Sequence, residues 1–176
     1  MTYHVMDAIS LKMPGAMEGV VMHPIEELRY LILAAQREGS RSLTEALRPL
    51  GLTDSQAEVL RVLAEHQPLS LGQLGQRLVC ETGSPSRLVR RLVDAGLVQQ
   101  RRSETDERKL MLTLTAKGTA ASDQVAVVEA EFYAAIAAVF DEASAAQLTE
   151  AIWRFVSDRP AGRALALRKQ PVLDRE

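Results

Sequence analysis

The chain has 176 residues, 47% apolar, 25% charged and 4% aromatic, with 21 Lys and Arg against 23 Asp and Glu for a formal charge of -2. Such values describe a helix-rich globular chain with room for one good-sized core, and the near-neutral total excludes indiscriminate nucleic-acid binding. No apolar run of about 18 residues offers a membrane span, and the N-terminus lacks the pattern of a secretory leader. The one cysteine, Cys80, rules out an intrachain disulfide and suits a reducing cytoplasm, the expected location.

In chain order, residues 1–24 keep no sustained apolar period and are expected to form a loose arm. From Ile25, apolar residues recur every three or four positions through Leu28, Ile32 and Ala35, then Leu43, Leu47 and Leu50, which predicts helix. Gly39 divides this pattern and is expected to kink or break it, and Pro49 with Gly51 closes it. Two capping boxes follow. Thr53 to Gln56 (TDSQ) opens a helix running to about His66, and Ser70 to Gln73 (SLGQ) opens a short one. In each, the hydroxyl accepts from an orphan amide while the glutamine reaches back.

The stretch from Ser86 to Arg102, SRLVRRLVDAGLVQQRR, carries five arginines against one acid. On a helical wheel, Pro85, Leu88, Val89, Leu92 and Val93 share one side, and Ser84, Arg87, Arg90, Arg91 and Asp94 take the other. Core packing accounts for the first set and does not require the second. Gly96 is placed as a left-handed cap. Beyond it, LVQQRR and LMLTLT flank SETDERK. The alternation of Leu110, Leu112 and Leu114 predicts a strand, so the pair reads as a hairpin with a charged tip. Thr115 and Asp141 are positioned to cap two further helices. The first carries a stripe of Val125, Val128, Phe132, Ile136 and Val139, and the second carries Leu148, Ile152, Phe155 and Val156. After Pro160 little period remains, and a tail over 160–176 is expected.

The expected fold class is mainly α with a small β hairpin. A helix, a short link and a second helix opened by small residues make a helix-turn-helix, and the hairpin adds a wing. In that arrangement Ser84 and Ser86 contact phosphates or bases, and Pro85 occupies the first helical turn, where its missing N–H costs nothing. Arg87 and Arg91, one turn apart, reach base edges, while Arg90 holds the backbone. Arg108, with Lys109 beside it, reaches from the wing to the minor groove or phosphates. Asp106 has the wrong sign for phosphate and is assigned to fixing the turn by pairing with Arg102. Arg101 and Arg102 point to opposite faces of their strand, so only one of them is expected to meet DNA. A solvated amphipathic helix explains the arginine face alone about as well. The hairpin directly after it favours the DNA reading.

Four stretches carry a resemblance to the MarR family of transcriptional regulators over about Ile25 to Val156. They are GLTDSQAEVLRVLAE (51–65), SLGQLGQRL (70–78), SRLVRRLVDAGLV (86–98) and TDERKLMLTLTAKG (105–118). The resemblance implies a homodimer whose helical dimerisation region is 25–50 with 116–159, and a winged helix-turn-helix domain over 51–115. It implies a double-stranded, pseudo-palindromic operator as partner and a small phenolic or anionic ligand as effector. Nothing in the chain identifies the ligand-binding residues. Tyr30, Arg37 and His66 read better as ordinary surface or core positions. Pro85 replaces the more usual β-branched residue, Glu81 puts an acid near the expected DNA surface, and the N-terminal arm is long for the family. Some members sense oxidants through a cysteine on the first helix; this chain has none there, and Cys80 is expected to be a buried, inert thiol.

Two other classes compete. A winged-helix protein-interaction module without sequence-specific DNA binding has no use for Arg87, Arg90, Arg91 and Arg108 together. An enzyme would need a Gly-rich phosphate loop, a metal-spaced His pair or a nucleophile–His arrangement, and none is found. No metal or cofactor is expected.

Overall fold

A computed structural model describes residues 22–80, 84–103 and 108–170. The chain divides into two units at Arg37 and Glu38. The described part of the first unit is the beginning of α1 (Pro24–Leu47). There Ile25, Leu28, Leu31, Ile32 and Leu33 are exposed, and the Arg29 guanidinium lies 4.2 Å from the centre of the Tyr30 ring.

The second unit continues α1 to Leu47 and a 3-10 turn, Arg48–Leu50, which Gly51 ends at φ 67°. It proceeds through α2 (Asp54–His66), β1 (Leu69–Ser70), α3 (Leu71–Gly75), α4 (Pro85–Asp94), β2 (Val98–Arg102), β3 (Leu110–Leu114), α5 (Ala116–Ala137), α6 (Glu142–Val156) and α7 (Pro160–Lys169). Both capping boxes form. Thr53 Oγ1 accepts from Gln56 N while the Gln56 side chain accepts from Thr53 N, and Ser70 and Gln73 repeat the exchange. Thr115 and Asp141 cap α5 and α6 through the amides of Gly118 and Ser144.

The sheet has three antiparallel strands in the order β1-β3-β2, not the two of a simple hairpin. Leu69 pairs with Leu112 on one side of β3, and Val98 pairs with Leu114 on the other. Two residues are too few for an alternation to register, which is why β1 escapes a periodicity reading. The core sits between this sheet and the helices. Val59, Leu60, Val62 and Leu63 of α2 meet Leu74, Leu88, Val89, Leu92, Leu112 and Val125, all nearly fully buried.

Three further expectations are corrected. Gly39 does not end α1, which runs unbroken through it; a Cβ there would stand 3.9 Å from Phe132 Cζ, an ordinary van der Waals distance, so packing does not demand the glycine. Helix α5 stops at Ala137, leaving Val139 outside it and exposed. The segment after Pro160 is helical through Lys169. Its apolar residues lack a 3.6-residue period because it buries mostly small positions, Gly162 and Ala164. Gly162 is obligatory, since a Cβ would lie 1.9 Å from Val156 O.

Candidate nucleic-acid interface

Helix α4 separates its two faces as the wheel predicts. Leu88, Val89 and Leu92 are buried, Pro85 and Val93 are half-buried, and Ser86, Arg87, Arg90, Arg91 and Asp94 are exposed. Three buried aliphatic side chains contribute about 1.5–3 kcal/mol each, which holds the helix to the core while its arginines stay in solvent. Pro85 occupies the first turn, as expected. Ser84 precedes it as the N-cap in extended conformation, half-buried rather than outward. Its side chain caps no amide and instead shares a hydrogen bond with Ser86, Oγ to Oγ at 2.8 Å.

The far end of α4 is held by five hydrogen bonds. Gly96, at φ 68°, lets its own N–H reach Val93 O and the Leu97 N–H reach Leu92 O, the paired bonds of a Schellman motif. Thr115 Oγ1 donates to Gly96 O at 2.7 Å, and its amide donates to Leu97 O at 3.0 Å. Lys117 Nζ donates to Ala95 O at 2.9 Å, placing a cation at the negative end of the helix dipole. Behind these, Gly118 lies so close to the Leu97 carbonyl that a Cβ would stand 1.9 Å from its oxygen. The Thr-Ala-Lys-Gly run at the start of α5 is therefore a lock on the end of α4. Sequence reading found its caps but missed this long-range role, for which Lys and Gly at a helix start were the available signal.

The wing is β2 and β3, registered from Val98 opposite Leu114 to Arg102 opposite Leu110, with Ser103 N bonded to Lys109 O at 2.9 Å beyond the last pair. Arg108 and Lys109 are exposed at its outer end. Arg101 and Arg102 are both exposed, and Arg101 donates to Gln99 Oε1. The expected Asp106–Arg102 pairing involves Asp106, which lies outside the described residues, as does Glu81. Helix α4 packs against β2, so the exposed arginines of the helix and the strand that leads to the wing's outer end are carried by neighbouring elements.

Cys80 corrects an expectation: it is exposed, not buried. Its thiol is nevertheless pushed up to about 11, by desolvation first and then by the Glu58 carboxylate. A thiol held protonated is a poor nucleophile. His66 is buried, with its pKa lowered by burial and by Arg77. Among the described residues no group of three or more His, Cys, Asp or Glu is arranged to hold a metal ion, and no helix is long and apolar enough to cross a membrane.

Comparison with known proteins places this geometry. The organic hydroperoxide resistance transcriptional regulator of Bacillus subtilis is 32% identical over 92 residues, 52% of this chain, and the match spans 63% of that protein's length. The transcriptional regulator MgrA of Staphylococcus aureus is 30% identical over 109 residues, covering 57% of this chain and 74% of MgrA. Both relatives are regulators of transcription, not enzymes. In structure, a variant of MarR from E. coli in complex with operator DNA superposes with a TM-score of 0.69 at 24% identity, over 78% of this chain and 99% of that one. The MarR family profile matches residues 50–109, from the end of the 3-10 turn through α4 to Lys109 at the outer end of the wing. On the profile match and the identity to MgrA, the chain belongs to the MarR family of winged-helix regulators.

Proposed function

We propose that the protein is a dimeric, sequence-specific DNA-binding regulator of transcription, a repressor released by a small phenolic or anionic ligand, acting in the cytoplasm on a pseudo-palindromic operator. The observation that carries the reading is the division of α4: three aliphatic residues anchor it while Arg87, Arg90 and Arg91 stand exposed, as do the wing's Arg108 and Lys109. In this reading α4 enters the major groove with Ser84, Pro85 and Ser86 leading. Arg87 and Arg91 read base edges, Arg90 meets the backbone, and Arg108 with Lys109 follows the minor groove or phosphates. The operator complex of the E. coli MarR variant, which shares the fold, supports it.

Dimerisation is supported by apolar surface that the single chain leaves uncovered. In the second unit Tyr133, Ile136, Phe140, Leu148, Ile152 and Phe155 are exposed, and in the first unit α1 adds Ile25, Leu28 and Leu31. Monomeric proteins seldom expose so many large apolar side chains together within single helices. Two copies would set two α4 helices against half-sites about 34–36 Å apart. A ligand that favours a different separation would lower operator affinity.

The test is titration of labelled DNA from upstream of the protein's own gene, with a scrambled duplex as control, at several salt concentrations. The expected result is preference for the upstream fragment and a slope of log K against log salt of about -0.9 per neutralised phosphate. Equal, weak binding to both duplexes would favour the protein-interaction reading instead.

A further inference from the structure

We infer that Glu58 is a positioning residue for the DNA-recognition helix, and that Arg168 on α7 completes its hold; this rests on the DNA-binding reading above. Glu58 lies on α2 among core residues and is 6% exposed. A carboxylate in such a place is costly unless it is paired and fully hydrogen-bonded. Here three donors converge on it. The Val79 amide donates to Oε1 at 2.8 Å, the Cys80 amide to Oε2 at 2.9 Å, and Arg168 Nη1 to Oε1 at 3.2 Å.

The two amides explain why an acid is used. Helix α3 ends at Gly75, and the turn after it satisfies the amides of Gln76 and Arg77 with Gly72 O and Leu74 O. Among the described residues no carbonyl serves Val79 and Cys80, and the two oxygens of one carboxylate take both amides. Gripping consecutive amides fixes that piece of backbone in place and in orientation. Cys80 is four residues before Ser84, the N-cap of α4. The same end of α3 also abuts α4 directly, since a Cβ on Gly75 would stand 3.5 Å from Pro85 Cγ. Holding Val79 and Cys80 therefore fixes the backbone that follows the end of α3, the end that itself abuts the start of α4 at Pro85.

Arg168 supplies the cation that neutralises the buried acid, and it comes from the far end of the chain. Between α3 and α7 lies a crevice of about 690 Å³ lined by Gln76, Leu78, Val79, Ala161, Arg163 and Leu167, among others. The two helices are therefore not close-packed there, and the Arg168–Glu58 bridge ties α7 to α2 instead. Helix α7 acts through Glu58 on the backbone that leads into α4.

Full-length protein and the variants Arg168→Ala, Arg168→Lys and Glu58→Gln test this. Amide exchange by NMR is followed at Val79 and Cys80, with Leu60 and Leu63 as internal references for global opening. Affinity is measured for the upstream fragment and for the scrambled duplex. Losing the charge-assisted bond in Arg168→Ala should speed exchange at Val79 and Cys80 about tenfold, leave the α2 references unchanged, and weaken upstream binding more than scrambled binding. Arg168→Lys should restore part of both effects. Unchanged exchange at Val79 and Cys80, equal acceleration at Leu60 and Leu63, or an unaltered ratio of the two affinities would each overturn the inference. Glu58→Gln keeps a carbonyl for one amide only and should exceed Arg168→Ala in the same direction; if it fails to fold, Arg168→Ala decides alone. Should the unmodified protein show no preference between duplexes, the DNA-binding reading fails and this role falls with it, while amide exchange still shows whether the Arg168 tie exists.

Discussion

Helices α4 and α6 are built on the same local plan and end in opposite situations. Both are amphipathic, and in both the aliphatic residues recur at helical spacing. In α4 those residues, Leu88, Val89 and Leu92, are buried in the chain's own core. In α6 the equivalent stripe of Leu148, Ile152 and Phe155 faces solvent. An apolar face stabilises only what covers it. Helix α4 is held by its own chain with its polar face outward, whereas the apolar face of α6 is left uncovered. The contrast teaches that amphipathicity alone does not tell an anchored helix from an unpartnered one.

The largest expected effect breaks the anchoring side of that contrast. Gly118→Ala would force a Cβ to within 1.9 Å of the Leu97 carbonyl oxygen, displacing the lock behind α4. The cost should be about 3 kcal/mol or more, seen in urea unfolding, and a variant as stable as the original would show that α5 can shift freely. Next comes the outward face of α4. Arg91→Ala with Arg108→Ala should lower operator affinity by about 1–3 kcal/mol for a base contact and reduce the salt slope by about one for a phosphate contact, with the melting temperature unchanged. Unaltered binding would sink this placement on DNA.

The uncovered face of α6 supplies the third comparison. Phe155→Glu should weaken self-association by about 2 kcal/mol, moving the protein toward monomer in sedimentation equilibrium while α4 and the wing remain folded. Thr115→Ala removes the α5 cap and the bond to Gly96 O, and should cost about 1–2 kcal/mol in thermal unfolding. A substitution without effect there would leave Lys117 and Gly118 as the real lock.

The smallest effect concerns pH. The His66 pKa in the folded chain is below its ordinary 6.5, through burial and then Arg77. Between the folded value and 6.5 the unfolded chain binds more protons, so this contribution is complete above 6.5 and is lost as pH falls through the folded value. Glu129, raised above 4.5 by burial, works in the opposite direction. Subtracting the stability curve of His66→Gln from that of the original isolates the histidine. A flat difference between pH 7 and pH 5 would mean that His66 is not held neutral.

Much of the winged domain was legible because its signals are local. Thr53 with Gln56, Ser70 with Gln73, Gly96, and the alternation through Leu110 to Leu114 each act within a few residues, and each forms as the spacing predicts. Strand β1 and helix α7 were not legible. The first exists only because Leu69 and Ser70 meet β3, and the second packs through small residues that leave no periodic mark. Glu58 was hidden for a related reason. In QAEVLRVLAE it looks like any surface acid of an amphipathic helix, and only Val79, Cys80 and Arg168, 21, 22 and 110 residues away, give it a role.

By itself the sequence determined which residues cap, alternate and divide into two faces, since hydrogen-bond reach and helical period are properties of neighbouring residues. Tertiary structure alone decided which apolar faces are covered, why Gly118 has no room for a side chain, and which donors neutralise Glu58. Those outcomes depend on atoms brought together from distant parts of the chain, where burial and close approach set energies that no short window of sequence contains.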